Sequence, residues 1–211
     1  MDATVRTLLE RAGRTYADQA GIKLKNTPAP LYRLLVLSVL LSTRIKADIA
    51  VAATRELVGS GFGTPQRMLD ATWQQRVDAL GRGHYVRYDE STATALGQGA
   101  QLALDRYRGD LRRLRDEASR EPAEIRSLLQ QFPRLGPVGA HIFCREAQDI
   151  WPELRPYLDG KALDGAKAVE LPQDAAELAK RVPDGELGRV AAALVRVSLD
   201  RKLAEQVRAR G

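Results

Sequence analysis

A helix that is apolar on nearly every face is stable only when other elements surround it. Residues 31–41 spell such a helix, with Leu31, Leu34, Leu35, Leu37, Val39, Leu40 and Leu41. Its apolar run from Leu34 to Leu41 holds Ser38 and is far shorter than the ~20 residues that span a bilayer. The segment is read as the centre of a core, which the rest of the 211-residue chain has to wrap. Elsewhere, too, apolar residues recur at helical spacing, while strict alternation over a strand length is missing and β-branched runs are short. The expectation is an all-α chain of ten or more short helices, built as one or two small domains.

Caps and breakers divide the chain. A first amphipathic helix is expected over Val5–Ala20, and Pro30 is placed to open the apolar helix, which stops near Ser42-Thr43-Arg44. A further helix runs from near Lys46 to Val58, before Gly59, Gly61 and Gly63. Thr64 and Thr72 are caps for two short helices over 65–71 and 72–80. After the loop Gly81–Tyr88, Asp89 or Ser91 caps a long helix to about Arg108. Helices follow over 110–119 and 122–130, then from a Gly/Pro-rich turn to about Ile150. Residues 151–158 read as irregular, Asp159 caps a short helix through Val169, and two helices over 173–181 and 184–208 complete the chain.

Charge and cysteine use narrow the function classes. The net charge is +6, and 26 of the 33 basic residues are Arg. Forked guanidinium contacts suit phosphate, so a polyanionic partner is favoured, although codon bias gives the same Arg excess. One cysteine, Cys144, rules out an internal disulfide and any all-Cys cluster. His141 and Cys144 share a helix face, but His84 does not complete a metal-binding set, so neither metal nor cofactor is expected. The start of the chain lacks the basic and then apolar pattern of a signal peptide, which gives a soluble, cytoplasmic expectation.

The segment from Ile125 to Ala140 is the most informative. It reads as helix, tight turn, helix: Leu128-Leu129-Gln130-Gln131-Phe132-Pro133-Arg134-Leu135-Gly136-Pro137-Val138-Gly139-Ala140. Gly136 can take a backbone conformation that a Cβ would forbid. The first turn of the second helix leaves N–H groups unpaired at its positive end, where an anion can sit. Pro137 fits that first turn because no N–H is needed there. An ordinary helix-turn-helix corner has the same sequence pattern.

This segment resembles the hairpin of the helix-hairpin-helix DNA glycosylases, the superfamily of endonuclease III, adenine glycosylase and 3-methyladenine DNA glycosylase II. Tyr157-Leu158-Asp159-Gly160 matches the segment carrying the superfamily's essential Asp. Leu37–Arg44 is similar to its buried helix and Gly83–Tyr88 to its inter-helix turn, so the likeness spans about residues 28–170. The resemblance implies two helical lobes, 23–134 and 1–22 plus 135–211, with a DNA-binding cleft between them. It departs from endonuclease III in three places. Val138 stands where the lyase Lys would be, the four-Cys cluster loop is missing, and Arg134 replaces the first hairpin Gly.

Taken together, the resemblance implies a monofunctional glycosylase of base-excision repair, acting as a nucleoid-associated monomer on double-stranded DNA that holds a damaged or mismatched base. Asp159 is expected to stabilise an oxocarbenium-like sugar and hold the attacking water. Its plainer role is a helix cap. Backbone contacts are expected from Arg134 and from the amides of Gly136, Val138 and Gly139. Arg44, His84 and Tyr85 are expected to fill the gap left by a flipped base, and Lys161 and His141 are possible accessories. The base pocket is expected near the Tyr32–Ser42 face. Two rival readings remain: the same fold binding lesions or DNA structures without chemistry, and an all-α protein adaptor.

Overall fold

The computed structural model describes residues 2–210. Among them are fourteen α-helices and no strand. In chain order these are α1 Ala3–Ala12, α2 Tyr16–Gln19, α3 Pro28–Leu41, α4 Ala47–Gly59, α5 Pro65–Asp70, α6 Trp73–Arg82 and α7 Asp89–Tyr107. Then come α8 Arg112–Glu117, α9 Pro122–Leu129, α10 Gly136–Ala147, α11 Gly160–Ala168, α12 Ala175–Ala179, α13 Leu187–Leu199 and α14 Arg201–Arg208, with a 3-10 turn at Pro152–Leu154. No helix among the described residues is long and apolar enough to cross a membrane.

The chain divides into two compact units: Ala17–Phe143, and Met1–Tyr16 with Cys144–Gly211. In the first, α3 is the buried centre. Every residue from Leu34 to Leu40 is buried, and Ser38 is tolerated there because its hydroxyl donates to the Leu34 carbonyl at 2.8 Å. Helix α4 packs on α3, α6 on α4, and α7 covers α5 and α6. Thr64 and Thr72 cap α5 and α6, the latter by a reciprocal box with Gln75. The buried Arg76 guanidinium donates to the carbonyls of Met68, Ala71 and Ala93 and so ties α5, α6 and α7 together. Burial pushes the neighbouring Tyr32 phenol well above its ordinary range, against the opposing charge of Arg76.

In the second unit α13 is central, packed against α1, α11 and α14. Val5, Leu8, Ala162, Ala166, Val190 and Leu194 form its core. Helix α11 comes close to α13 at Gly165, where a Cβ would lie 1.9 Å from the Leu194 carbonyl oxygen. Only glycine lets α11 and α13 meet at that distance.

Three boundaries differ from the sequence expectation, each for a local reason. The first helix ends at Ala12 because its last carbonyls bond out of the helix: Gly13 O accepts from Arg189 Nε at 2.9 Å, and Ala12 O accepts from Arg196 Nη1. The long helix α7 starts one residue after Tyr88 with no side-chain cap, so neither Asp89 nor Ser91 fills that role. The last helix is two helices, because Asp200 is extended (φ −129°, ψ 99°) and caps α14 through the Leu203 N–H at 3.0 Å.

Candidate functional site

The turn between α9 and α10 contains two left-handed residues, Arg134 (φ 63°) and Gly136 (φ 56°). Glycine meets no penalty there, but an arginine costs roughly 1–2 kcal/mol. Local bonds hold Arg134 in place. Its carbonyl accepts from Ser42 Oγ at 3.1 Å, its Nη1 donates to Ser91 Oγ at 2.8 Å, and its guanidinium lies 5.7 Å from the Tyr88 ring centroid. The hairpin therefore forms with Arg in a glycine-type position.

The amides at the start of α10 are not equivalent. Gly139 N–H closes the first turn on Leu135 O at 3.0 Å. A Cβ on Gly139 would meet the Leu135 side chain at 2.8 Å and the Ser38 carbonyl at 3.3 Å, so this glycine serves close packing of α10 on α3. That corrects its expected part as a phosphate donor, because the donor is already used. Gly136 and Val138 N–H groups have no acceptor among the described residues, and Val138 is 59% exposed. These two amides are the ones free for an anion.

The loop Gly83–Tyr88 also differs from expectation. Tyr85 is fully buried, with its hydroxyl 2.8 Å from Thr43 Oγ1 and accepting from Thr92 Oγ1 at 3.4 Å. A ring anchored beneath the loop cannot enter a base stack, so Tyr85 is corrected to a packing residue. Gly83 sits so close to Ala53 that a Cβ would lie 2.4 Å from its Cα. With both anchors buried, the loop presents His84 (exposed, φ 62°) and Val86, which is 65% exposed. Val86 is not singled out by the sequence, because a single Val beside Tyr85 reads as core.

Arg44 lies in an open depression whose lining is Ser42, Thr43, Arg44, Tyr88 and Arg134. The face of α3 from Tyr32 to Val39 lines a different hollow with Ala95, Leu96, Gly99, Phe132 and Pro133. Its interior of ≈ 10 Å³ has room for about one water, far too little for a base.

Asp159 is built into the other unit from the end of α10. Gln148 is buried, and its side-chain amide brackets Tyr157: Oε1 accepts from the Tyr157 N–H at 2.9 Å and Nε2 donates to the Tyr157 carbonyl at 3.1 Å. Two residues later Asp159 caps α11, with Oδ1 accepting from Ala162 N at 3.0 Å. Its Oδ2 accepts from Arg145 Nη1 at 2.6 Å. The two side chains are 10% and 4% exposed, and Arg145 Nε is buried without a hydrogen-bond partner. Arg145 was not anticipated. The signal available was the charged pair Arg145-Glu146 on a helix otherwise apolar from Ile142 to Ala147. Lys161 is exposed, 3.7 Å from Asp164 Oδ2, and His141 is half-buried. No group of three metal-ligating side chains occurs among the described residues.

No protein-family model matches the chain, and no curated protein does. Solved structures do, among them an endonuclease III trapped as a covalent intermediate with DNA in an estranged-adenine complex, and a non-covalent endonuclease III–DNA complex. Each of these two is 15% identical, covers 93% of this chain and 86% of its own, and superposes with a TM-score of 0.51. The chain has the endonuclease III fold.

Proposed function

We propose that this protein is a monofunctional DNA glycosylase that hydrolyses the bond between a damaged or mismatched base and its deoxyribose. The observation that carries the reading is a fixed carboxylate, Asp159, downstream of a hairpin with free Gly136 and Val138 amides, on an endonuclease III fold. The hairpin amides and Arg134 take backbone phosphate. Val86 and His84, on an anchored loop, enter the gap that a flipped base leaves. Asp159 faces the positive charge that develops on the sugar and orients water toward it. Val138 has no amine, so no Schiff base forms at that position and the strand is left abasic rather than cut.

A second reading has its own support. The Arg145 guanidinium on Asp159 Oδ2 offsets the carboxylate's charge, which weakens its field at a cationic sugar. Under that reading the protein binds DNA at lesions or distortions and does no chemistry.

Duplexes carrying one defined lesion each separate the two. Under the glycosylase reading a base is released, the product becomes a nick only with alkali, and borohydride traps no adduct. Direct strand cleavage with a trapped adduct contradicts the monofunctional assignment.

A further inference from the structure

The depression beside the hairpin differs from the surroundings of Arg82, Arg106 and Arg112 in the same unit. Arg82 lies 3.0 Å from Glu56 and Arg112 lies 2.7 Å from Asp110, while Arg106 is bonded to Glu117. Around Ser42, Thr43, Arg44, Tyr88 and Arg134 there is no carboxylate in the lining. Asp89 and Glu90 follow Tyr88 in the chain, but neither lines the depression, and Asp89 Oδ1 accepts from the Glu90 N–H at 2.8 Å.

The cations here have only neutral partners. Arg44 is exposed, with no hydrogen bond or ion pair among the described residues. Arg134 holds its geometry through Ser91 Oγ and the Tyr88 ring, and its charge is not offset. Arg87 lies 5.1 Å from the same ring centroid. Tyr88 thus already carries two guanidiniums, and a base could stack on it only by displacing one. What the place lacks is an anion that accepts forked hydrogen bonds.

We propose that this depression is a phosphodiester site, in which Arg44 and Arg134 together hold one backbone phosphate of bound DNA. The inference rests on the DNA-binding reading above and replaces the wedge role that resemblance gives Arg44. A wedge reads the lesion; a phosphate ligand acts on any sequence.

The test is duplex binding against salt, by anisotropy, with one lesion duplex and its undamaged counterpart. The variants are Arg44→Gln, the double variant Arg44→Gln/Arg134→Gln, and Arg201→Gln, which removes an exposed cation of the other compact unit as control. The double variant should lower the slope of log K against log salt by about 0.9, equally on both duplexes. Arg44→Gln alone should weaken both duplexes by the same factor, and Arg201→Gln should leave the slope unchanged. The inference is overturned, with the DNA reading intact, if wild type shows a steep slope that the double variant keeps. It is also overturned if Arg44→Gln weakens only the lesion duplex, or if Arg201→Gln lowers the slope as much. A wild type that binds neither duplex overturns both readings.

Discussion

Arg145 Nη1 donates to Asp159 Oδ2 at 2.6 Å, and this ion pair is almost wholly removed from solvent. Asp159 also caps α11, so one side chain serves two structural tasks on top of the chemistry proposed for it. Removing either partner alone leaves a buried charge, whereas removing both does not. Asp159→Ala is expected to destabilise the protein by about 3–5 kcal/mol. Asp159→Asn/Arg145→Gln keeps the cap oxygen without a buried charge and should lose much less. Urea denaturation of the single and double variants measures the difference, and equal losses would show that the pair is not coupled.

Gly165 is a sharper case of packing. A Cβ at this position would overlap the Leu194 carbonyl, and backbone cannot turn aside as a side chain can. Gly165→Ala should cost at least 1–3 kcal/mol, the usual range for overpacking. The melting temperature reads the outcome; an unchanged value would mean that α11 and α13 do not meet as described.

Arg134 sets two effects of similar size against each other. Arg134→Gly relieves the left-handed backbone, worth about 1–2 kcal/mol. It loses the Ser91 hydrogen bond, worth about 0.5–1.5 kcal/mol, and the Tyr88 contact. Stability should therefore shift by less than about 1 kcal/mol, while duplex affinity falls. A variant that is equally stable and binds DNA as well as wild type would remove Arg134 from the interface.

Neighbouring residues of the loop should respond in opposite ways. Tyr85→Phe strips a buried hydroxyl from Thr43 and Thr92 and should cost about 1 kcal/mol. Val86→Ser touches an exposed side chain and should change stability by no more than about 0.5 kcal/mol. Only Val86→Ser is expected to weaken preference for a lesion duplex over its undamaged counterpart, measured by competition binding.

Asp149 gives a pH signature. Burial raises its carboxyl above the ordinary range, against the opposing Gly188 N–H and Arg155. A carboxyl raised in the folded state binds its proton more tightly there than in the unfolded chain. Its contribution to stability is therefore present at acid pH and is lost as pH rises from the ordinary carboxylate range through the raised folded value. Asp149→Asn should flatten that part of the stability profile, as followed by denaturation at a series of pH values; an unchanged profile contradicts the assignment.

Much of this fold was legible because its signals are local. The apolar faces of residues 31–41, the Thr64 and Thr72 caps, and Asp159 ahead of Gly160 each need only a few neighbouring residues to be read. What was hidden depends on contacts distant in sequence. Ala12 and Gly13 end α1 on arginines of α13, almost the whole chain away. Tyr85 looked like an exposed ring because nothing in the loop shows that Thr43 and Thr92 lie beneath it. Gly139 looked like a donor because only the packed hairpin shows its N–H already taken. Arg145 became visible as the partner of Asp159 only once Gln148 had drawn the intervening segment back onto the end of α10.

The central claim is that Asp159 does chemistry on DNA, and single-turnover base release tests it most directly. Wild type, Asp159→Asn and Asp159→Asn/Arg145→Gln are compared on duplexes with single defined lesions, after circular dichroism has established that each is folded. The account predicts that wild type frees a base from at least one duplex and that both variants are slower by about 10²-fold or more. Binding without release on every duplex, or undiminished release by a folded Asp159→Asn variant, would contradict it.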